Sequence, residues 1–126
     1  KALELSYLHL DEERDYITSL KKYCSDKLFE NFDGIKINCS DTFYNILNIL
    51  LPFSEEKTAM MLFTLDMKGI AVSRGSACQS GSNKPSHVLA EILSAEDLNK
   101  PTIRVSFSHY NTKEEIDTFI SVLKEI

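Results

Sequence analysis

Two residues in this 126-residue chain have types and settings suited to chemistry. Cys78 sits in the stretch Ser73 to Lys84, SRGSACQSGSNK, with four Ser, two Gly and one Asn. That is a loop by composition. A structural cysteine is usually buried among apolar neighbours. Cys78 is flanked instead by Ser76, Ala77, Gln79 and Ser80. Loop backbone N–H groups and the nearby Arg74 favour its thiolate, the nucleophilic form. Glycine-bearing flanks suit a thiol that travels to a substrate. The other option for Cys78 is an incidental loop cysteine. Arg104 is one of three arginines and sits between Ile103 and Val105 in an apolar alternation. A guanidinium fork there can bind a carboxylate through two parallel hydrogen bonds, or it can simply face solvent from an edge strand.

The other candidates carry less. His9, His87 and His109 are scattered, and none has metal-ligand spacing to another His or Cys. His87 follows the cysteine loop and could approach Cys78, although a surface or capping role is the simpler reading. Cys24 and Cys39 read as packing residues. Three cysteines without a CxxC pair argue against zinc and against a disulfide framework, and favour a reducing, cytosolic setting. The chain contains no GxGxxG, P-loop, GxSxG or HExxH.

These side chains need elements to hold them. Tyr16, Ile17, Leu20, Tyr23, Cys24 and Leu28 share one face of a helix over about residues 11–30, with an acidic start that suits the helix dipole. Gly34 breaks it. Ile35, Ile37 and Cys39 alternate with Lys36 and Asn38 as a half-buried strand, and Asn45 to Leu51 reads as a second strand ended by Pro52. Ser54 caps a helix to about Met67, with Gly69 as its stop and the Met60–Met61 pair as core filler. Ile70 to Val72 makes a short strand before the cysteine loop, and Pro85 opens a short helix to about Leu93. Ile103, Val105 and Phe107 form another strand. Thr112 and Glu115 then make a capping box for a last helix with Ile116, Phe119, Ile120 and Leu123 on one face. Strands mixed with helices, without regular βαβ alternation, predict an α+β domain. Its small, mostly antiparallel sheet of three to four strands carries helices on one face.

Composition narrows the function classes. Hydrophobic residues make up 43% and charged residues 26%, which suits a globular domain. Nineteen acidic against fourteen basic residues leave a net charge of −5, the wrong balance for a nucleic-acid binder. No apolar run approaches the roughly eighteen residues of a membrane span, and no signal-peptide pattern opens the chain. The first residue is Lys1 rather than Met, so a processed protein or a piece of a longer one is expected.

The stretch GIAVSRGSACQSGSNKPSHVLAEIL, Gly69 to Leu93, strongly resembles the active-site loop of cysteine desulfurases. These are pyridoxal-phosphate enzymes of the class V aminotransferase group. Gly75, Ser76, Ala77, Cys78, Pro85, Ser86, Val88 and Leu89 match the G-S-A-C…P-S-x-V-L pattern of the subgroup with a long mobile loop. IRVSFSHYNTKEEID, Ile103 to Asp117, is similar to a later segment of that family, and Asn45-Ile46-Leu47-Asn48 to its N-x-L-N strand. The resemblance implies removal of sulfur from L-cysteine, with a persulfide left on Cys78 and L-alanine released. Arg104 would hold the substrate carboxylate. It also implies pyridoxal 5'-phosphate as cofactor, a sulfur-acceptor or iron–sulfur scaffold protein as partner, and a homodimer of the full enzyme. The family's S-x-H-K motif, which carries the Schiff-base lysine, has no counterpart, since no His here precedes a Lys. The resemblance therefore points to the C-terminal small domain over residues 1–126, with the cofactor-binding domain absent and the chain alone inactive. The Tyr110-Asn111-Thr112 segment is also similar to the short-loop group that overlaps selenocysteine lyases. A stand-alone persulfide carrier that keeps Cys78 is the alternative outside enzymes.

Overall fold

A computed structural model describes residues 1–39, 41–74 and 87–126; the side chains of Glu55, Glu56, Thr58, Ala59, His87 and Asn99 are left out of that description. The elements are α1 (Ala2–Leu8), α2 (Leu10–Asn31), β1 (Lys36–Ile37), β2 (Ile46–Leu50), α3 (Glu55–Met67), β3 (Ser73–Arg74), α4 (His87–Ala90), a 3-10 turn (Asp97–Asn99), β4 (Thr102–Ser106) and α5 (Lys113–Glu125). The strands form an antiparallel sheet in the order β1-β2-β4-β3. The expected α+β class, with one small antiparallel sheet and packed helices, is therefore the observed one.

The long helices form where the apolar spacing puts them. On α2, Ile17, Leu20, Cys24 and Leu28 recur every three or four residues and are all buried. On α5, Ile116, Phe119, Ile120, Val122 and Leu123 are buried. Its capping box is complete. Thr112 Oγ1 accepts from the Glu115 N–H at 3.2 Å, and Glu115 Oε2 accepts from the Thr112 N–H at 3.1 Å. Two long-range bonds clasp these helices. Tyr23 Oη donates to Asp117 Oδ1 at 2.8 Å, and Tyr16 Oη donates to the Asn111 carbonyl at 2.8 Å. The main core joins α2, α3 and α5 to Leu47, Ile49 and Ile103 of the sheet.

Several local expectations are corrected. Residues 2–8, left unassigned by pattern, form α1, which buries none of its side chains. The apolar run Ile70 to Val72 is not a strand. Its first residue helps close α3 instead: with Gly69 at φ +77°, the Gly69 N–H donates to the Asp66 carbonyl at 2.9 Å and the Ile70 N–H to the Leu65 carbonyl at 2.8 Å. Pairing begins only at Ser73–Arg74, inside the segment read as loop. Of the helix expected from Pro85 to Leu93, α4 covers His87–Ala90 and stops short of Leu93, with Ile92 exposed beyond it; Pro85 and Ser86 lie outside the described residues. Met61 is buried as core filler, but Met60 is exposed.

The alternation in β1 also fails at its end. Asn38 is buried and Cys39 is exposed, the reverse of a packing cysteine. Cys39 has φ +59°, in the left-handed region, which ends the regular alternation and turns its side chain outward.

Candidate functional site

Register decides which side chains share the face opposite the core. Leu47 pairs with Val105 and Ile49 with Ile103, on the covered face; Asn48 pairs with Arg104 on the other. The Phe107 N–H donates to the Asn45 carbonyl at 2.8 Å and the Leu51 N–H to the Pro101 carbonyl at 2.9 Å. Those bonds fix the odd-numbered β2 positions as hydrogen-bonded pairs. Asn48 and Arg104 are then a non-hydrogen-bonded pair, the kind whose side chains stand closest. On its other side Arg104 pairs with Ser73 of β3. Beyond Asn48, the Asn38 N–H donates to the Asn48 carbonyl at 2.9 Å and Asn38 Nδ2 donates to Asn48 Oδ1 at 2.8 Å. A polar row thus crosses the sheet: Asn38, Asn48, Arg104, Ser73.

Arg104 is half-buried, and its guanidinium meets no hydrogen-bond acceptor or carboxylate among the described residues. Most other cations here differ: Lys36 and Lys100 both reach Asp97, at 2.7 and 2.8 Å, and Lys22 meets Asp26 at 2.6 Å. An arginine among apolar strand residues without an internal partner is suited to an external anion. The strand that pairs with it, β3, leads by sequence into the Gly75-Ser76-Ala77-Cys78 segment. Cys78 itself, with Gly75, Ser76 and Ala77, lies outside the described residues.

The remaining cysteines differ. Cys24 is sealed in the core, and burial pushes its thiol up to about 12, so it stays protonated and inert. Cys39 is a free, exposed thiol. Of the histidines, His9 and His109 are occupied elsewhere, while the His87 side chain, like Cys78, lies outside the described residues. His9 Nδ1 lies 3.7 Å from Glu12, and His109 Nδ1 lies 3.3 Å from Glu13 with its ring beside Tyr110. Among the described residues no three His, Cys, Asp or Glu side chains gather as a metal site, and no helix is long and apolar enough to cross a membrane.

A cavity of about 340 Å³ on the covered side, walled in part by Cys24, Lys68, Ile70, Val105, Glu115 and Phe119, does not fit pyridoxal phosphate. Its lining includes no arginine or aspartate. Lys68 there is well exposed and faces Glu125 at 3.8 Å, so it points to a carboxylate at the surface rather than into the cavity's apolar wall. Glu115 is held below the usual carboxylate range, first by the Asn111 amide and then by the Thr112 N–H, and would repel a phosphate.

Pattern reading found Arg104 and missed the row around it. Asn48 did leave a signal: it is the polar residue inside Ile46-Leu47-Asn48-Ile49-Leu50-Leu51. Asn38 and Ser73 left none, because both looked like ordinary surface or loop residues.

With fold and row established, the chain belongs to the class-V aminotransferase family, whose model matches residues 1–119. Along all of its length it is 33% identical to the cysteine desulfurase IscS of Dictyoglomus turgidum, covering 32% of that protein. It is 36% identical over 120 residues to a putative cysteine desulfurase, IscS 1, of Bacillus subtilis, covering 94% of this chain and 31% of that one. Among solved structures, a NifS-like protein from Rickettsia africae superposes with a TM-score of 0.76 at 28% identity, over 96% of this chain and 31% of that one. The chain therefore spans about a third of the length of the curated relatives it matches.

Proposed function

We propose that this chain is the small domain of a cytosolic, pyridoxal-phosphate-dependent cysteine desulfurase. The enzyme would convert L-cysteine to L-alanine, hold the sulfur as a persulfide on Cys78 and pass it to an iron–sulfur scaffold or other acceptor protein. The observation that carries the reading is the Arg104 guanidinium, without a partner among the described residues, on a strand paired with the one that leads by sequence to Cys78. Cys78 follows Ser73 by five residues. Chain connectivity alone therefore keeps its Cα within about 18 Å of Ser73.

Each residue then has a task. The Arg104 fork binds the substrate carboxylate and so fixes the far end of L-cysteine. The Cys78 thiolate attacks the substrate sulfur, forming an S–S bond as the substrate's carbon–sulfur bond breaks. Pyridoxal 5'-phosphate, held by the cofactor-binding domain outside residues 1–126, would supply the electron sink. A homodimer of the full enzyme is part of the same reading.

Exposed apolar side chains favour a domain of a larger enzyme over a stand-alone persulfide carrier. Leu3, Tyr7 and Leu8 on α1 are 71%, 70% and 65% exposed, and Met60, Phe63 and Met67 on α3 are open as well. The test is to isolate the native protein with an antibody to this chain, add L-cysteine, and follow L-alanine and the mass of the Cys78 peptide. A much larger yellow enzyme that forms L-alanine and adds one sulfur to Cys78 is expected. A colourless protein of this chain's own size, yielding no L-alanine, would overturn the enzyme reading in favour of a carrier.

A further inference from the structure

Asn48 stands next to Arg104 with one of its two amide ends already committed. Its Oδ1 accepts from Asn38 Nδ2 at 2.8 Å, and Asn38 is itself buried, 6% exposed. That bond fixes the orientation of the Asn48 amide and leaves its Nδ2 group as a donor with no acceptor among the described residues. Arg104, directly across the β2–β4 pair, also presents donors alone. These are two donor groups at paired positions on one sheet face, neither with an acceptor among the described residues. A carboxylate satisfies both, because its two oxygens offer about four lone-pair sites.

Resting on the desulfurase reading, we infer that Asn48 is a second binding residue for the substrate carboxylate, donating from Nδ2 beside the Arg104 fork. Asn38 is the positioning residue that holds the Asn48 amide in its donating orientation. The pair confers specificity as well as affinity. A guanidinium alone accepts many anions, whereas a fork flanked by a fixed amide N–H fits a planar, two-oxygen group at one angle. A ligand that keeps the amine but lacks any oxygen acceptor, such as ethylamine, has nothing to offer Asn48.

Equilibrium binding to the holoenzyme that carries this chain separates the possibilities. L-alanine and ethylamine, the same molecule without its carboxylate, are titrated calorimetrically into the native enzyme and into Asn48→Leu, Asn48→Asp and Arg104→Ala. Asn48→Leu removes the donor. Asn48→Asp keeps the shape and the bond from Asn38, covers the case of a Leu variant that does not fold, and places a negative charge against the ligand. The expected result is L-alanine binding weakened by roughly tenfold or more in both Asn48 variants, the scale of a hydrogen bond to a charged group, with ethylamine binding unchanged. The inference is overturned if L-alanine binding is unchanged while Arg104→Ala weakens it, which leaves the desulfurase reading standing. It is also overturned if ethylamine binding falls in parallel, because Asn48 would then be only structural. L-alanine binding indifferent to Arg104→Ala as well would instead remove the carboxylate anchor on which the desulfurase reading depends.

Discussion

Ile103 and Arg104 are neighbours in sequence and live on opposite faces of the same sheet. Ile103 is 0% exposed and belongs to the core cluster with Leu47, Ile49 and the buried faces of α2 and α5. Arg104 is half-buried on the other face, in a polar row where its guanidinium and the Asn48 Nδ2 group are donors with no acceptor among the described residues. One face holds the main core; the other holds the polar row, with Leu50 buried at its end. The cysteines repeat the contrast: Cys24 is silenced by burial in the covered face, while Cys39 is open to solvent.

The comparison can be broken in several places. The largest expected effect is on thiol reactivity. With its thiol pushed up to about 12, Cys24 holds on the order of a thousandfold less thiolate at neutral pH than an unperturbed cysteine. Alkylation followed by peptide mass analysis should label Cys39 promptly and Cys24 only after denaturation. Equal labelling in the folded chain would mean that the α2 face is not sealed. Next is the neighbour pair itself. Ile103→Ala should cost about 2–5 kcal/mol, the range for a buried aliphatic truncation. Arg104→Ala should change stability by no more than about 0.5 kcal/mol, as for a side chain with no partner among the described residues. Denaturant unfolding of both variants checks this, and similar losses would erase the distinction between the faces.

A smaller effect belongs to the α5 start. Thr112→Ala removes one side of the capping box and should cost about 1 kcal/mol in the same unfolding assay. Thr112→Asn should recover most of it; a loss that no capping residue repairs would point to packing instead.

The smallest effect is a pH dependence. Asp97 is held down to about 2, first by the Lys100 ammonium and then by that of Lys36. Its folded value lies below the unfolded one of about 3.9, so its contribution is complete above pH ~4 and is lost as pH falls toward ~2. Asp97→Asn should flatten that acid limb of the unfolding midpoint. An unchanged slope would show that the Lys36–Asp97–Lys100 cluster is idle.

Local pattern made much of the fold legible. The α2 and α5 faces, the Ser54 and Thr112 caps and the Gly69 stop depend on residues within a few positions of one another, and all are observed as read. Readings failed where a local signal met a competing local demand. Ile70 looked like a strand residue and was used to close α3, and Cys39 continued an alternation that a left-handed backbone had already ended. In the candidate site, Arg104 was visible as a charge in an apolar strand, whereas its neighbours were not.

The sequence by itself determined where the two long amphipathic helices run, where α3 and α5 are capped, and which residues, Arg104 and a Ser/Gly-rich cysteine segment, stand as the candidates for chemistry. Those properties follow from spacings of three, four or two residues along one chain. Only the tertiary structure decided that Asn48 faces Arg104, that Ser73 flanks it and that Asn38 locks Asn48. Antiparallel register joins positions 31 and 56 residues apart in this chain, and a slip of one residue would send each side chain to the opposite face. The burial of Leu47, Ile49 and Ile103 beneath the helices forbids that slip, so the covered face sets the geometry of the open one.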